Sequence, residues 1–253
     1  MTVMLMLKGA LTGLALVAVG ACGGQPTDAP VRTTSPSGTW TAPSAAQAAE
    51  RDQALLRVVS AIPGVARLDL FMEGEKITAG IEYQTVTPYL AVPSGRQTLR
   101  LRPAGLDTAD PLAEESQGFT PGHHYTVVLL PGGNDGPAAD VRVFEDTMDP
   151  PDNGRVRLRV IHAAGDAGDV DVHVPNRAEP LAAALQFQRA SDVAGLEPPA
   201  ALELRPAGRS ESMLRATDLG LSSGGMYTIV VIGRARTEPA LRTLVIEDRI
   251  VRP

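Results

Sequence analysis

The chain has 253 residues, enough for one large domain or two of about 100 residues each. Hydrophobic content of 43% and charged content of 21% are those of a protein that folds, and a formal net charge of −6 excludes a nucleic-acid partner held through phosphate contacts. The 25 glycines and 21 prolines leave little room for long helices, and a single cysteine, Cys22, excludes an intramolecular disulfide.

Residues 1–21 read as a signal peptide, with Lys8 as the positive charge and Gly9 to Ala21 as an apolar run ending in small residues. The run is shorter than the roughly 20 residues a membrane-spanning helix requires. Val19-Gly20-Ala21-Cys22 resembles the bacterial lipobox, an aliphatic residue and two small ones before cysteine. That resemblance implies cleavage before Cys22 and lipidation of its sulfur by diacylglycerol, with further acylation such as palmitate. The chain is then expected to be exported and anchored by Cys22 to a cell membrane or outer membrane, facing the periplasm or the exterior. Residues 22–50 form a lipid-anchored, disordered tether rich in Gly, Pro, Thr and Ser, with the sole tryptophan, Trp40, inside it. Residues 45–56, AAQAAERDQALL, have the composition of a short helix leading into the first strand.

Beyond the tether the sequence repeats itself. Leu56 to Ala61 recurs as Leu158 to Ala163, and Leu68-Asp69-Leu70 as Val170-Asp171-Val172, both at an offset of 102. Leu101 to Gly105 recurs as Leu204 to Gly208 at 103, and Gly122 to Val127 as Gly224 to Ile229 at 102. Phe144-Glu145-Asp146 answers Ile246-Glu247-Asp248. The order is unbroken, so two domains are expected, at 51–148 and 149–253. Within each copy the apolar pattern has a period of two: Val156, Leu158 and Val160 share one strand face, with Arg155, Arg157 and Arg159 on the other. Tyr125–Leu130 and Tyr227–Ile232 are continuously apolar, as in central strands covered on both faces. Gly132 to Gly136 reads as a hairpin loop. The spacing predicts about seven strands per copy, and an all-β fold of two tandem immunoglobulin-like antiparallel β-sandwiches. Tyr125 and Tyr227, each behind a turn at the head of a central strand, fit the structural tyrosine corner of such sandwiches.

The run from Arg159 through His162, Gly165, Asp166 and Asp171 to Val174 resembles the opening of the domain of unknown function 4397 family, R-V-V-H-A-S-P-D-A-P-x-V-D-V-Y-V. Gly224 to Ile229 resembles that family's later G-x-x-Y-T-V. The first copy has Ser60 in place of the histidine but keeps Tyr89 and Gly95 of the family's middle motif. The resemblance implies a tandem pair in an exported bacterial protein and no mechanism.

Candidate chemistry is sparse. His162, Asp166, Asp169 and Asp171 form the densest polar cluster, open to two readings. One is a ligand or cation loop, since clustered carboxylates supply calcium's oxygen ligands. In the other, Asp166 and Asp169 shape the loop, and Asp171 pairs across strands with Arg157 or Arg159, as Asp69 would near Arg57. The acidic connector Glu145 to Gly154 divides in the same way, between a calcium-stiffened joint and a solvated turn. His123 and His124 become Gly225 and Met226 in the second copy, which reads as turn drift. No metal, cofactor or catalytic residue is expected, because nucleophile elbow, phosphate loop and zinc spacing are all missing from the sequence. The expected function is a non-enzymatic lipoprotein of the cell envelope that binds or organises an envelope protein or polymer. The alternatives are an envelope hydrolase with a cryptic site in the second domain, or a purely structural spacer.

Overall fold

The computed structural model describes residues 52–132 and 139–250. The signal segment, Cys22, Trp40, most of the 45–56 stretch and the loop over 133–138 lie outside that range. Each apolar run of period two becomes a strand, and among the described residues none is helical. The short helix expected over 45–56 is corrected at its carboxyl end: Gln53 to Leu56 open the first strand, where Ala54 and Leu56 are fully buried in a sheet face.

The first repeat holds β1 (Gln53–Ser60), β2 (Leu68–Met72), β3 (Glu75–Ile81), β4 (Leu90–Pro93), β5 (Gly95–Pro103), β6 (Ala113–Phe119), β7 (His124–Pro131) and β8 (Ala139–Asp146). The second holds β9 (Val156–His162), β10 (Val170–His173), β11 (Ala182–Leu185), β12 (Ala190–Leu196), β13 (Ala201–Pro206), β14 (Leu214–Thr217), β15 (Met226–Ile232) and β16 (Arg242–Glu247). Among the described residues each repeat thus has eight strands where the spacing predicts about seven. Four-residue strands such as β4 and β11 are too short to show a period.

Both repeats are sandwiches of the same topology. In the first, sheet β4-β1-β7-β8 packs on β3-β2-β5-β6; in the second, β12-β9-β15-β16 packs on β11-β10-β13-β14. Pairing is antiparallel except between β1 and β7 and between β9 and β15, which run parallel. Each sandwich closes a core of its own: Leu56, Val58, Leu70, Leu101 and Val127 lie in one, and Leu158, Val160, Val172, Leu204 and Ile229 in the other.

The sheets containing β1 and β9 are buried on their second faces as well, against each other. Val59, Ala61, Val128 and Leu130 from the first repeat meet Ile161, Ala163, Val230 and Ile232 from the second. The two repeats are therefore stacked four sheets deep, and the continuous burial of β7 and β15 follows from this stacking. Because β1, β7, β9 and β15 all run toward this contact's loop-bearing end, the loops after them gather there, while the connector and the start of β1 lie at the other end.

Two devices pin each sandwich. The Tyr125 hydroxyl accepts a hydrogen bond from the Thr120 amide, and Tyr227 accepts one from Ser222, each at 2.9 Å. Asp69 accepts from the Gly80 and Gly105 amides at 2.8 and 3.1 Å, and Asp171 accepts from Ala184 and Gly208 at 2.7 and 2.8 Å. Both aspartates sit beside a register shift in the β2–β3 or β10–β11 pairing, so they satisfy amides that the irregular ladder leaves over. The cross-strand pairing expected of Asp171 with Arg157 or Arg159, and of Asp69 near Arg57, is corrected. Strands β9 and β10 belong to different sheets, as do β1 and β2. Arg157 instead meets Asp192 at 3.1 Å on its own sheet, and Asp69 meets Lys76 at 2.8 Å. Burial pushes the Asp69 carboxyl up, but Lys76 and the two amides outweigh it and hold it below its ordinary value. Replacing the buried Asp69 by alanine is expected to cost about 1–3 kcal/mol, and the more exposed Asp171 the low end of that range, in urea unfolding.

Candidate functional site

The most organised polar chemistry lies inside the contact between the repeats. Strand alternation sends Arg57, Thr126, Arg159 and Thr228 to the faces that meet, among apolar neighbours, while Asp146 and Asp248 close it at the strand ends. None of the six is more than 8% exposed, so each needs an internal partner. The partners are crosswise. Arg57 donates to Asp248 Oδ1 at 2.5 Å, and Arg159 donates to Asp146 Oδ1. Thr126 Oγ1 accepts from Arg57 Nε at 2.8 Å and donates to Asp146; Thr228 Oγ1 accepts from Arg159 Nε at 3.2 Å and donates to Asp248. Two cations and two anions cancel within the contact. Burial pushes the Arg57 guanidinium down, yet Asp146 and Asp248 outweigh it and hold it above its ordinary value.

Tyr89 adds to this group from the segment before β4. Its hydroxyl donates to Asp146 Oδ2 at 2.6 Å, and the Arg57 guanidinium lies 4.9 Å from its ring centroid. Burial first, then the Asp146 charge, pushes the phenol well above its ordinary value, so Tyr89 remains a neutral donor. Asp146 is thus a buried anion rather than part of a solvated connector. Elsewhere in the connector, the Asp149 carbonyl accepts from Arg157 Nε at 3.1 Å, and Glu145 meets the His123 ring at 2.7 Å.

The residues singled out around the β9–β10 loop stand apart. The His162 side chain is fully buried; its Nε2 lies 2.8 Å from the Gly168 carbonyl and its Nδ1 3.4 Å from the Ala164 amide. One N–H donor and one acceptor nitrogen describe a neutral ring that clamps the loop. Asp166 is exposed and accepts from the Ala235 and Arg236 amides at 2.8 and 3.3 Å, tying this loop to the one after β15. The Asp169 carbonyl accepts from Ala207, and Asp171 serves the amides named above. These four residues are spread over separate backbone contacts, and among the described residues no three His, Cys, Asp or Glu side chains gather as a metal ion would require.

At the same end a cleft of about 390 Å³ opens between the repeats. Pro63 and Pro131 from the first repeat face Gly165, Phe187 and Arg234 from the second. The Phe187 ring carbons lie 3.4 to 3.7 Å from the position a Cβ on Gly165 would take, so the missing side chain lets the ring close against the loop. Sequence reasoning gave no role to Tyr89, Phe187, Arg234 or the buried ion pairs. One signal was present: Arg57, Thr126 and Asp146 recur at an offset of 102 as Arg159, Thr228 and Asp248. The threonines lie in largely apolar strands, the arginines among alternating apolar residues and the aspartates at or just past strand ends.

Fold and contact together define a tandem β-sandwich protein whose two repeats share one buried polar centre. The family model that matches is Domain of unknown function (DUF4397), over residues 54–173, which covers the first repeat and the opening motif of the second. No curated protein matches the chain. Two solved structures are similar at low identity. One is described as alpha-glucan binding by a streptococcal virulence factor, at 12% identity and a TM-score of 0.22, covering 73% of this chain and 94% of that one. The other is a product complex of a multi-modular glycogen-degrading pneumococcal virulence factor, at 12% identity and a TM-score of 0.23; the match covers 76% of this chain and 23% of that protein.

Two outcomes follow from this geometry. Arg159→Met keeps the side-chain bulk but leaves Asp146 short of its cation, and is expected to cost about 3–5 kcal/mol in urea unfolding. His162 gives a pH dependence. Burial outweighs the Gly168 carbonyl and Asp169 and lowers its pKa below the ordinary 6.5. The unfolded chain then takes up the proton first, so the stability contributed by neutral His162 is full above pH 6.5 and is lost as pH falls below it toward the folded pKa. Thermal melts between pH 7 and 5 are expected to show that decline, and His162→Gln to flatten it.

Proposed function

We propose that this protein is an exported, lipid-anchored envelope protein without enzymatic activity, whose two sandwiches act as one rigid body presenting the interdomain cleft to a partner at the cell surface. The observation that carries the reading is the buried crosswise pairing of Arg57 with Asp248 and Arg159 with Asp146, which joins two domains into a single platform. The cleft lies at the end of the sheets opposite the one where the chain enters β1, which suits presentation away from an attachment point. The cysteine after a signal-like segment supplies that attachment, and two acyl chains are enough to make it stable. The polar groups around the β9–β10 loop are engaged with backbone, which favours binding over hydrolysis. Metabolic labelling with a clickable palmitate analogue tests the anchor. The wild-type chain is expected to carry label and sediment with membranes, and Cys22→Ser to lose both. A labelled Cys22→Ser chain, or an unlabelled wild type, contradicts the reading.

A further inference from the structure

The two faces that meet between the repeats are the same face. Arg57, Thr126 and Asp146 correspond to Arg159, Thr228 and Asp248 at a constant offset of 102, and the buried arginine bonds to aspartate and threonine across the contact are mirrored. The other bonds across it, Arg159 to the Glu145 carbonyl, Gln188 to Arg142 and Asp140, and Arg234 to the Pro63 carbonyl, are particular to one side. Arg57 to Asp248 is mirrored by Arg159 to Asp146. Arg57 Nη2 reaches Thr228 at 3.3 Å, and Arg159 Nη2 reaches Thr126 at 3.3 Å. The apolar part obeys the same relation: Val59 and Ile161, Ala61 and Ala163, Val128 and Val230, Leu130 and Ile232 are again 102 apart. Reciprocity of this kind, residue i on residue j and j on i, defines a two-fold self-complementary interface. Tyr89 has no tyrosine counterpart in the second repeat, but it bonds Asp146 of its own repeat and leaves the reciprocal contacts unchanged.

We infer that this sheet face is a homotypic docking surface whose fitting partner is a second copy of itself, and that the chain is a dimer fused into one polypeptide. The occupant is specified by charge. The face carries one buried cation and one buried anion, so only a face with the same two charges in two-fold register neutralises both. Each repeat also closes its own core without the other, so the face is what it adds to a complete sandwich. Where the intramolecular pairing is denied, the same face therefore joins separate chains.

Charge exchange within one repeat tests this in the chain from residue 43 onward. In the variant Arg57→Asp with Asp146→Arg, the carboxylate introduced at position 57 would oppose Asp248. The guanidinium introduced at position 146 would oppose Arg159, so intramolecular pairing is repelled at both points. Homotypic pairing stays matched, the altered first repeat with that of a second chain and the second repeat with its equal. Light scattering is expected to give twice the wild-type mass with the strand circular dichroism intact. Exchanging the second repeat as well, with Arg159→Asp and Asp248→Arg, is expected to restore the monomer. A folded monomer from the twofold variant overturns the proposal, and so does its unfolding when the fourfold variant folds. Should both fail to fold, a chain carrying a copy of residues 155–248 in place of 53–146 decides. A monomer with a single melting transition supports self-complementarity; two transitions or aggregation overturn it.

Discussion

Two arginines placed in the middle of apolar strand faces constrain everything else in this molecule. A guanidinium on a sheet face that packs against another sheet must be given an anion, because an unpaired buried charge costs several kcal/mol. Neither sandwich uses its own aspartate at short range. Arg57 lies 3.8 Å from Asp146 of its own repeat but 2.5 Å from Asp248 of the other. The closest pairing is therefore available only when the sandwiches are stacked. The connector between β8 and β9 joins strand ends at the same end of the stack, so it can stay short.

Attraction and specificity come from different residues. Val59, Val128, Leu130, Ile161, Val230 and Ile232 remove apolar surface from water, which is the larger favourable contribution. Buried ion pairs add little net stability over an apolar substitute, since desolvation offsets their Coulomb energy. Their effect here is geometric. A strand slipped by one residue in its own ladder would turn Arg57 or Arg159 into its own core, and a sheet slid by two residues over the other would carry the arginine away from Asp248 or Asp146. The ions fix one register between two otherwise smooth faces, and that register also brings together the loops that line the cleft.

Much of the fold was legible because its signals are local. The period of two in Val156, Leu158 and Val160, and the turn and tyrosine before each central strand, required no knowledge of the partner strand. The repeat offset of 102 revealed the shared topology. The stacking was not legible, since the arginine face of β9 reads equally as a solvated face until the second sheet is placed over it. The same ambiguity hid Asp146, which in sequence sits at the start of an acidic connector and in space is a buried anion. His162 and the aspartates after it drew attention by density alone. In space they turn to separate backbone groups, a local use that sequence density cannot distinguish from a ligand set.

The central claim is that the two repeats behave as one body because the ions between them are satisfied only together. Differential scanning calorimetry of the chain from residue 43 onward tests this most directly. The account predicts one transition whose calorimetric and van't Hoff enthalpies agree, as for a single cooperative unit spanning both sandwiches. Two resolved transitions, or a calorimetric enthalpy about twice the van't Hoff value, would contradict it.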